Sequence, residues 1–340
     1  MLNLAEFFQE KIIPLPYHDR FVTILEIDDV LVVNLDCLFE RDYSLRGVDQ
    51  LIYLLHKSGQ NKRFMFLSED GTIIQISNAT QLIANIVNLF GLTADTCALV
   101  CREKIDIPNV TVIVRDSIPH WCHVLYPVIK DIEIPQGPFS KKFAVWFHRG
   151  TFYRLMITRH LQENYKDDAY ISYQEPGMLH DWRLKQYWQE EIEWASKNTP
   201  IVYDQLFPMR VYDHEMIVGA GRKPYNEYFL EIIVETDCIT TGWITEKVVK
   251  NLYIGKPFIV MGGQGTLEKI KGFGFRTFGP WIDETYDTIE NNYLRLEAIK
   301  HEIDRLAQLS NGDIEKIHQE LLPILEHNRR TYEYHTNRWR

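Results

Sequence analysis

One stretch limits the fold more than any other. Residues 228–263, YFLEIIVETDCITTGWITEKVVKNLYIGKPFIVMGG, read as strand, polar loop, helix and strand. Phe229 to Glu235 (FLEIIVE) reads as a strand. Thr245 is placed to cap a helix running to about Ile254, which Gly255 stops and Pro257 bars from continuing. PFIVMG then makes a second buried strand. Two strands joined by a crossover helix form a β-α-β unit, whose ligand-facing loops lie at the carboxyl ends of the strands.

The same alternation runs through the rest of the chain. FVTILEIDDVLVVNL (21–35) holds two β-branched runs with Asp28-Asp29 as a hairpin turn between them. Strand-like runs recur at FMFLS (64–68), CALVC (97–101), VTVIV (110–114) and FAVWF (143–147). From Ala79 to Phe90, the residues Ala79, Leu82, Ile83, Ile86, Val87 and Phe90 share one helical face. Thr151 caps a further expected helix, Phe152 to Leu161, and DWRLKQYWQEEIEWAS (181–196) reads as another. Gly262 to Gly265 precede a short helix, Thr266 to Ile270. From Asp287 onward the chain is helical, with one apolar stripe of Ile289, Tyr293, Leu296, Ile299, Ile303 and Leu306, and a second of Ile314, Ile317, Leu321 and Leu325, separated by Asn311-Gly312. Strands alternating with helices predict an α/β architecture with mainly parallel sheets.

At 340 residues the chain exceeds the usual limit for one core, about 250 to 300 residues, so two domains facing across a cleft are expected. The expected division is one α/β domain over 1–206, a second over 207–310, and a helical tail over 311–340 that packs back on the body. A formal charge of -10 is the wrong sign for bulk nucleic-acid binding, although a local basic pocket for one or two phosphates is compatible with it. Five cysteines make a sparse, odd set that suits a reducing compartment rather than a disulfide framework. Glu6 and Glu10 stand where a secretory signal would be basic, and no apolar run approaches the ~18 residues of a membrane span, so a cytoplasmic protein without a transmembrane segment is expected.

Chemistry concentrates at Thr245-Glu246-Lys247. Glu246 in the first turn suits a ribose diol, and Lys247 suits a phosphate beside the free amides and positive end of the helix. Taken alone, Glu246 reads rather as a favourable acid at a helix N-terminus and Lys247 as a solvated residue; the whole strand, loop, helix and strand sequence points to the ligand-binding reading.

The whole segment resembles the α-1,3/1,4-fucosyltransferases and related microbial and viral glycosyltransferases. In that family a strand ending in Glu-Asn leads through a short loop to an aromatic residue, Val-Thr-Glu-Lys, a helix and a Pro-containing strand ending in Gly. Here the counterparts are VET (234–236), Trp243-Ile244-Thr245-Glu246-Lys247 and KPFIVMGG. The resemblance implies a GT-B fold of two Rossmann-like domains, with the donor held by the C-terminal one. It implies Glu246 on the ribose, Lys247 on the diphosphate, and Trp243 where the family has a nucleotide-contacting Tyr; Thr236 replaces the family's Asn.

FAVWFHRGTFYRLMITRHL resembles the family stretch that brings an Arg to the donor phosphates, with Arg154 the better match and Arg149 the alternative. An Arg fork suits a leaving diphosphate; a surface carboxylate is the competing partner for Arg154. Another GT-B superfamily carries two glutamates eight positions apart, and eight before Glu246 stands Cys238. The fucosyltransferase resemblance therefore implies an inverting transfer, which needs a carboxylate base for the acceptor hydroxyl. After FMFLS the candidates are Glu69, preferred by resemblance, and Asp70.

Other features read as structure. His120, Cys122 and His123, with Cys97 and Cys101, lack zinc-ligand spacing; Asp28-Asp29 is a turn and Asp167-Asp168 a helix exit; Trp182, Trp188 and Trp194 are spaced six apart and share no helical face. The expected activity is a metal-independent, cofactor-free sugar transfer from a nucleotide sugar, first a GDP-sugar such as GDP-fucose, to a glycan or other hydroxyl acceptor. The alternatives are an inactive nucleotide-sugar or glycan-binding module and a viral-type transferase acting on modified DNA bases.

Overall fold

The computed structural model describes residues 3, 4, 6, 24–34, 56, 62–67, 77–101, 105–114, 117–175, 189–201, 224–236, 238 and 244–338. They form mixed α/β structure in two compact units, Met1–Ser117 and Ile118–Arg340.

In the first unit, β1 (Ile24–Ile27), β2 (Val30–Asn34), β3 (Arg63–Leu67), β4 (Cys97–Cys101) and β5 (Thr111–Val114) form one sheet in that order. β1 and β2 pair antiparallel, and the remaining pairs are parallel. The expected hairpin is present: Ile27 faces Val30 and Asp28 takes φ 56°, a backbone region that Asp tolerates. Arg63 forks onto Asp29, Nε to Oδ2 at 2.7 Å and Nη2 to Oδ1 at 2.9 Å, and these hydrogen bonds hold the Asp29 carboxyl below its ordinary value.

Alternation along the strands splits the apolar residues between two faces. Leu31, Val33, Phe64, Phe66 and Leu99 pack with Leu82, Ile83, Ile86 and Val87 of α1 (Ser77–Phe90), while Val30, Val32, Met65, Leu67 and Val100 pack on the other face. Cys97 and Cys101 lie in this core, and burial pushes the Cys97 thiol up to about 12.

The second unit begins with α2 (Ser117–Ile129). Its sheet has the order β7-β6-β8-β9, built from β6 (Lys141–Arg149), β7 (Ala169–Glu175), β8 (Tyr228–Val234) and β9 (Phe258–Met261), all parallel. Around it run α3 (Phe152–Asn164), α4 (Gln189–Asn198), α5 (Glu246–Ile254), α6 (Thr266–Gly272), α7 (Asn292–Ala307) and α8 (Asn311–Arg338).

Position 207, where the domain boundary is expected, lies outside the described residues. The compact units divide earlier because β6 pairs with β8, Phe143 opposite Leu230 and Ala144 opposite Glu231, which ties the FAVWF segment to the C-terminal half.

Two local expectations differ from the structure. Of the helix expected over 181–196, residues 181–188 lie outside the described residues and the rest is helical, within Gln189–Asn198. Asn311 and Gly312 sit inside the first turn of α8 rather than between helices, where Ser310 and Asp313 cap each other. Tyr293 is 56% exposed, since it lies in the first turn of α7 beside the Asn291 cap and the buried stripe begins with Leu296. The long α8 lies against α5: the Tyr332 and Tyr253 rings are 5.0 Å apart, and Arg329 donates to the Tyr253 carbonyl at 3.1 Å. Among the described residues no helix is long and apolar enough to cross a membrane.

Candidate functional site

Because β6, β7, β8 and β9 run parallel, their carboxyl ends share one edge of the sheet. The chain leaving β6 enters α3 through Thr151, whose side chain accepts from the Arg154 amide. The chain leaving β8 passes Glu235 and Thr236 and enters α5 through Thr245. Two helix N-termini and one buried acid therefore follow directly from adjacent strands.

Thr245 is the N-cap of α5, with φ -118° and ψ -176°. Its amide donates to Glu235 Oε1 at 2.9 Å, and its hydroxyl lies 2.7 Å from Oε2 and 3.0 Å from Oε1. A threonine hydroxyl has one proton to give and lone pairs to receive. Having given its proton to Glu235, it receives the Lys247 ammonium at 2.9 Å and the Lys247 amide at 3.4 Å. Lys247 Nζ also lies 3.3 Å from Glu235 Oε2 and 3.2 Å from Glu246 Oε1.

The three charged side chains differ in access. Glu235 is 0% exposed, Glu246 19% and Lys247 26%, so Glu235 is sealed while the other two side chains keep partial access to solvent. Burial pushes the Glu246 carboxyl up, but the Lys247 ammonium and hydrogen bonds to it outweigh that and leave it below its ordinary value. It is anionic at neutral pH.

Arg154 is 3% exposed. Its guanidinium lies over the Phe147 ring at 5.7 Å and reaches the end of β8, donating to the Val234 carbonyl from Nε at 3.1 Å and Nη2 at 2.9 Å, and to Thr236 Oγ1 at 3.1 Å. Arg154 thus clamps α3 to the residue before Glu235, and Thr236 is its exposed partner.

Below this edge the β8–α5 contact is ionic as well as apolar. Lys250 meets Glu231 at 2.9 Å, and Tyr228 donates to the other Glu231 oxygen at 2.9 Å. Glu231 and Glu235 are four apart on a strand and share one face, so each faces one lysine of α5. Lys256, just before β9, lies 4.4 Å from the Tyr228 ring centre and 4.7 Å from that of Phe139, and donates to the Tyr228 carbonyl. Beyond β9, Arg295 donates to the Gly262 carbonyl at 2.5 Å.

The structure brings Arg154, Thr236, Thr245, Glu246 and Lys247 to one strand edge. Arg149 is the last residue of β6, opposite Glu175, and its side chain lies outside the described residues. Glu69, Asp70 and Trp243 also lie outside them. Sequence reasoning missed Glu235 as a site residue; its signal was an acid directly after a strand, ten residues before a Thr N-cap. A cavity of about 380 Å³ lies near Gly265, Glu268, Lys271 and Asp287, and neither Lys247 nor Arg154 lines it. Among the described residues no group of three or more His, Cys, Asp or Glu is arranged to hold a metal.

No protein-family model matches the chain. No curated protein matches it either. Among solved structures it is similar to a trehalose-6-phosphate synthase studied for glycosyl transfer with retention, at 12% identity and TM-score 0.38, covering 93% of this chain and 74% of that one. It is also similar to a chain of a GtfA/B complex, at 10% identity and TM-score 0.35, covering 86% and 56% of the two chains. Neither similarity is close enough to assign a function.

Proposed function

We propose that the protein is a glycosyltransferase of GT-B type that moves a sugar from a nucleotide-sugar donor, first a GDP-sugar such as GDP-fucose, to a hydroxyl acceptor, with inversion and without a metal. The observation that carries this reading is the Lys247 ammonium at the N-terminus of α5, beside Glu246 and at the same strand edge as Arg154. Glu246 would take the ribose hydroxyls, and Lys247 with the first amides of α5 would take the diphosphate.

Sugar transfer breaks the bond between the anomeric carbon and the diphosphate oxygen and forms one to the acceptor oxygen. The leaving diphosphate gains charge, which Lys247, Arg154 and the α5 dipole are disposed to stabilise. The acceptor proton goes to a carboxylate, for which the family resemblance offers Glu69. Inversion and independence from metal rest on that resemblance, as do Trp243 as a nucleotide contact and Arg149 as the alternative phosphate ligand.

The test is a thermal-shift titration against GDP, UDP, CDP, ADP and TDP with and without EDTA, since a ligand of the native state raises Tm. A shift for one nucleotide that survives EDTA supports the reading and selects the donor to assay for turnover. Lys247→Ala should then weaken that nucleotide by about 1.5 to 3 kcal/mol, the value of a charged hydrogen bond. Unchanged affinity in a folded Lys247→Ala variant overturns the assignment. A shift without donor consumption, over a broad acceptor panel, favours a binding module.

A further inference from the structure

We infer that Glu235, which the proposed chemistry does not use, is the positioning residue of the diphosphate site: it fixes the Lys247 ammonium in place while Glu246 is released to the ligand. The inference rests on the reading of Lys247 as a phosphate ligand.

Lys247 is shared by two carboxylates at nearly equal distance, 3.3 Å from Glu235 and 3.2 Å from Glu246. They are not equally held. Glu235 has no exposed surface and also receives the Thr245 amide and hydroxyl, so it cannot leave without unmaking the cap of α5. Glu246 is partly exposed, at 19%, and is not tied to the Thr245 amide. A lysine is a flexible point charge on a long stem, and its use as a ligand depends on what restrains it. Here the restraint is the Glu235–Thr245 pair, which grips Nζ through Oε2 and Oγ1 and leaves its third donor to Glu246. An arriving nucleoside diphosphate would take that donor and displace Glu246, whose carboxylate then meets the ribose.

The inference has a sign that simple electrostatics does not share. Removing a carboxylate near an anion site raises the local positive potential and should tighten anion binding. If Glu235 acts by holding Lys247, Glu235→Gln should instead weaken inorganic diphosphate, and the nucleoside diphosphate selected above, by roughly tenfold or more. Binding is measured by calorimetry on the full chain, with thermal unfolding as the check on fold. In the Lys247→Ala background the same substitution should change affinity by less than about twofold, because the residue it acts through is gone.

Equal or tighter binding by folded Glu235→Gln overturns the inference while leaving the donor-site reading intact. An equal loss in both backgrounds overturns it as well, since Glu235 would then act only on the fold. If the wild type binds no nucleoside diphosphate, the donor-site reading fails and the inference falls with it. Should Glu235→Gln not fold, Thr245→Val removes the bridging hydroxyl and leaves the carboxylate; unchanged diphosphate affinity in that variant overturns the inference too.

Discussion

Lys250 Nζ lies 2.9 Å from Glu231 Oε1 with the two side chains 3% and 5% exposed, a sealed ion pair directly beneath the candidate site. Removing one partner of such a pair leaves an uncompensated charge in the interior, which costs about 3 to 5 kcal/mol. Lys250→Met should therefore lower unfolding stability by that amount. The double variant Lys250→Met with Glu231→Gln should lose less than the sum of the two single changes, because each single change leaves the other charge buried without its partner and the double leaves neither charge. Urea unfolding of the four proteins measures the coupling; strict additivity would show that the pair does not act as a unit.

His318 gives the fold an acid-sensitive point. Its Nε2 lies 2.7 Å from the Pro135 carbonyl, so that nitrogen carries the proton, and Nδ1 is buried with no hydrogen-bond partner among the described residues. The Phe139 and Phe229 rings face it at 4.8 and 6.3 Å, and burial first, then the nearby Lys256, hold its pKa below the ordinary value. The unfolded chain protonates His318 near its usual pKa of about 6.5 and the folded chain resists protonation, so stability is full above that pH and declines as pH falls below it. His318→Gln keeps a donor for Pro135 and cannot titrate. From pH 8 to pH 5 the variant should lose less unfolding free energy than the wild type in urea titrations, and parallel losses would reject the assignment.

The legibility of the chain follows from which interactions are local. The β8–α5–β9 segment was readable because each boundary has a local cause: Thr245 as cap, Gly255 in the left-handed region at φ 72°, and an apolar run on either side. β6 and its helix were readable for the same reason, with Thr151 capping α3. What local pattern does not contain is partnership. That Phe143 sits opposite Leu230, placing β6 in the C-terminal sheet, depends on pairing across more than eighty residues. Arg154 likewise looked equally suited to a surface carboxylate, and only the fold brings it to the Val234 carbonyl. Glu235 was hidden by its position, since an acid at a strand end is ordinary until the Thr245 cap and the Lys247 ammonium close on it.

Gly255 ends α5 under two constraints at once. Its φ of 72° disfavours any residue with a side chain, and a Cβ there would lie 2.8 Å from Ile134 Cγ2. The left-handed conformation alone costs an L-residue about 1 to 2 kcal/mol. Gly255→Ala should exceed that figure, because the Ile134 side chain must also shift. Shaving the contact with Ile134→Ala in the same chain should return part of the loss. Chemical unfolding of the single and double variants reads both quantities, and a Gly255→Ala protein as stable as the wild type would refute the account.

Arg295 holds the turn after β9 by geometry that only a guanidinium can supply. With 1% exposure, it donates from Nη1 to Gly262 O at 2.5 Å, from Nε to Ile289 O at 3.0 Å, and from Nη2 to Glu290 O at 3.0 Å and Asn292 Oδ1 at 2.6 Å. Four acceptors on two chain segments are thus bound by one planar fork. Lys has three donors on a single nitrogen and cannot span them, so Arg295→Lys conserves charge but strands buried carbonyls, each costing about 1 to 3 kcal/mol. The expected result is a loss of roughly 2 to 5 kcal/mol in unfolding stability, together with faster amide exchange around Gly262 and Glu290. If Arg295→Lys instead keeps wild-type stability and exchange, the anchor is charge alone, and the fork geometry plays no part in holding the carboxyl end of β9.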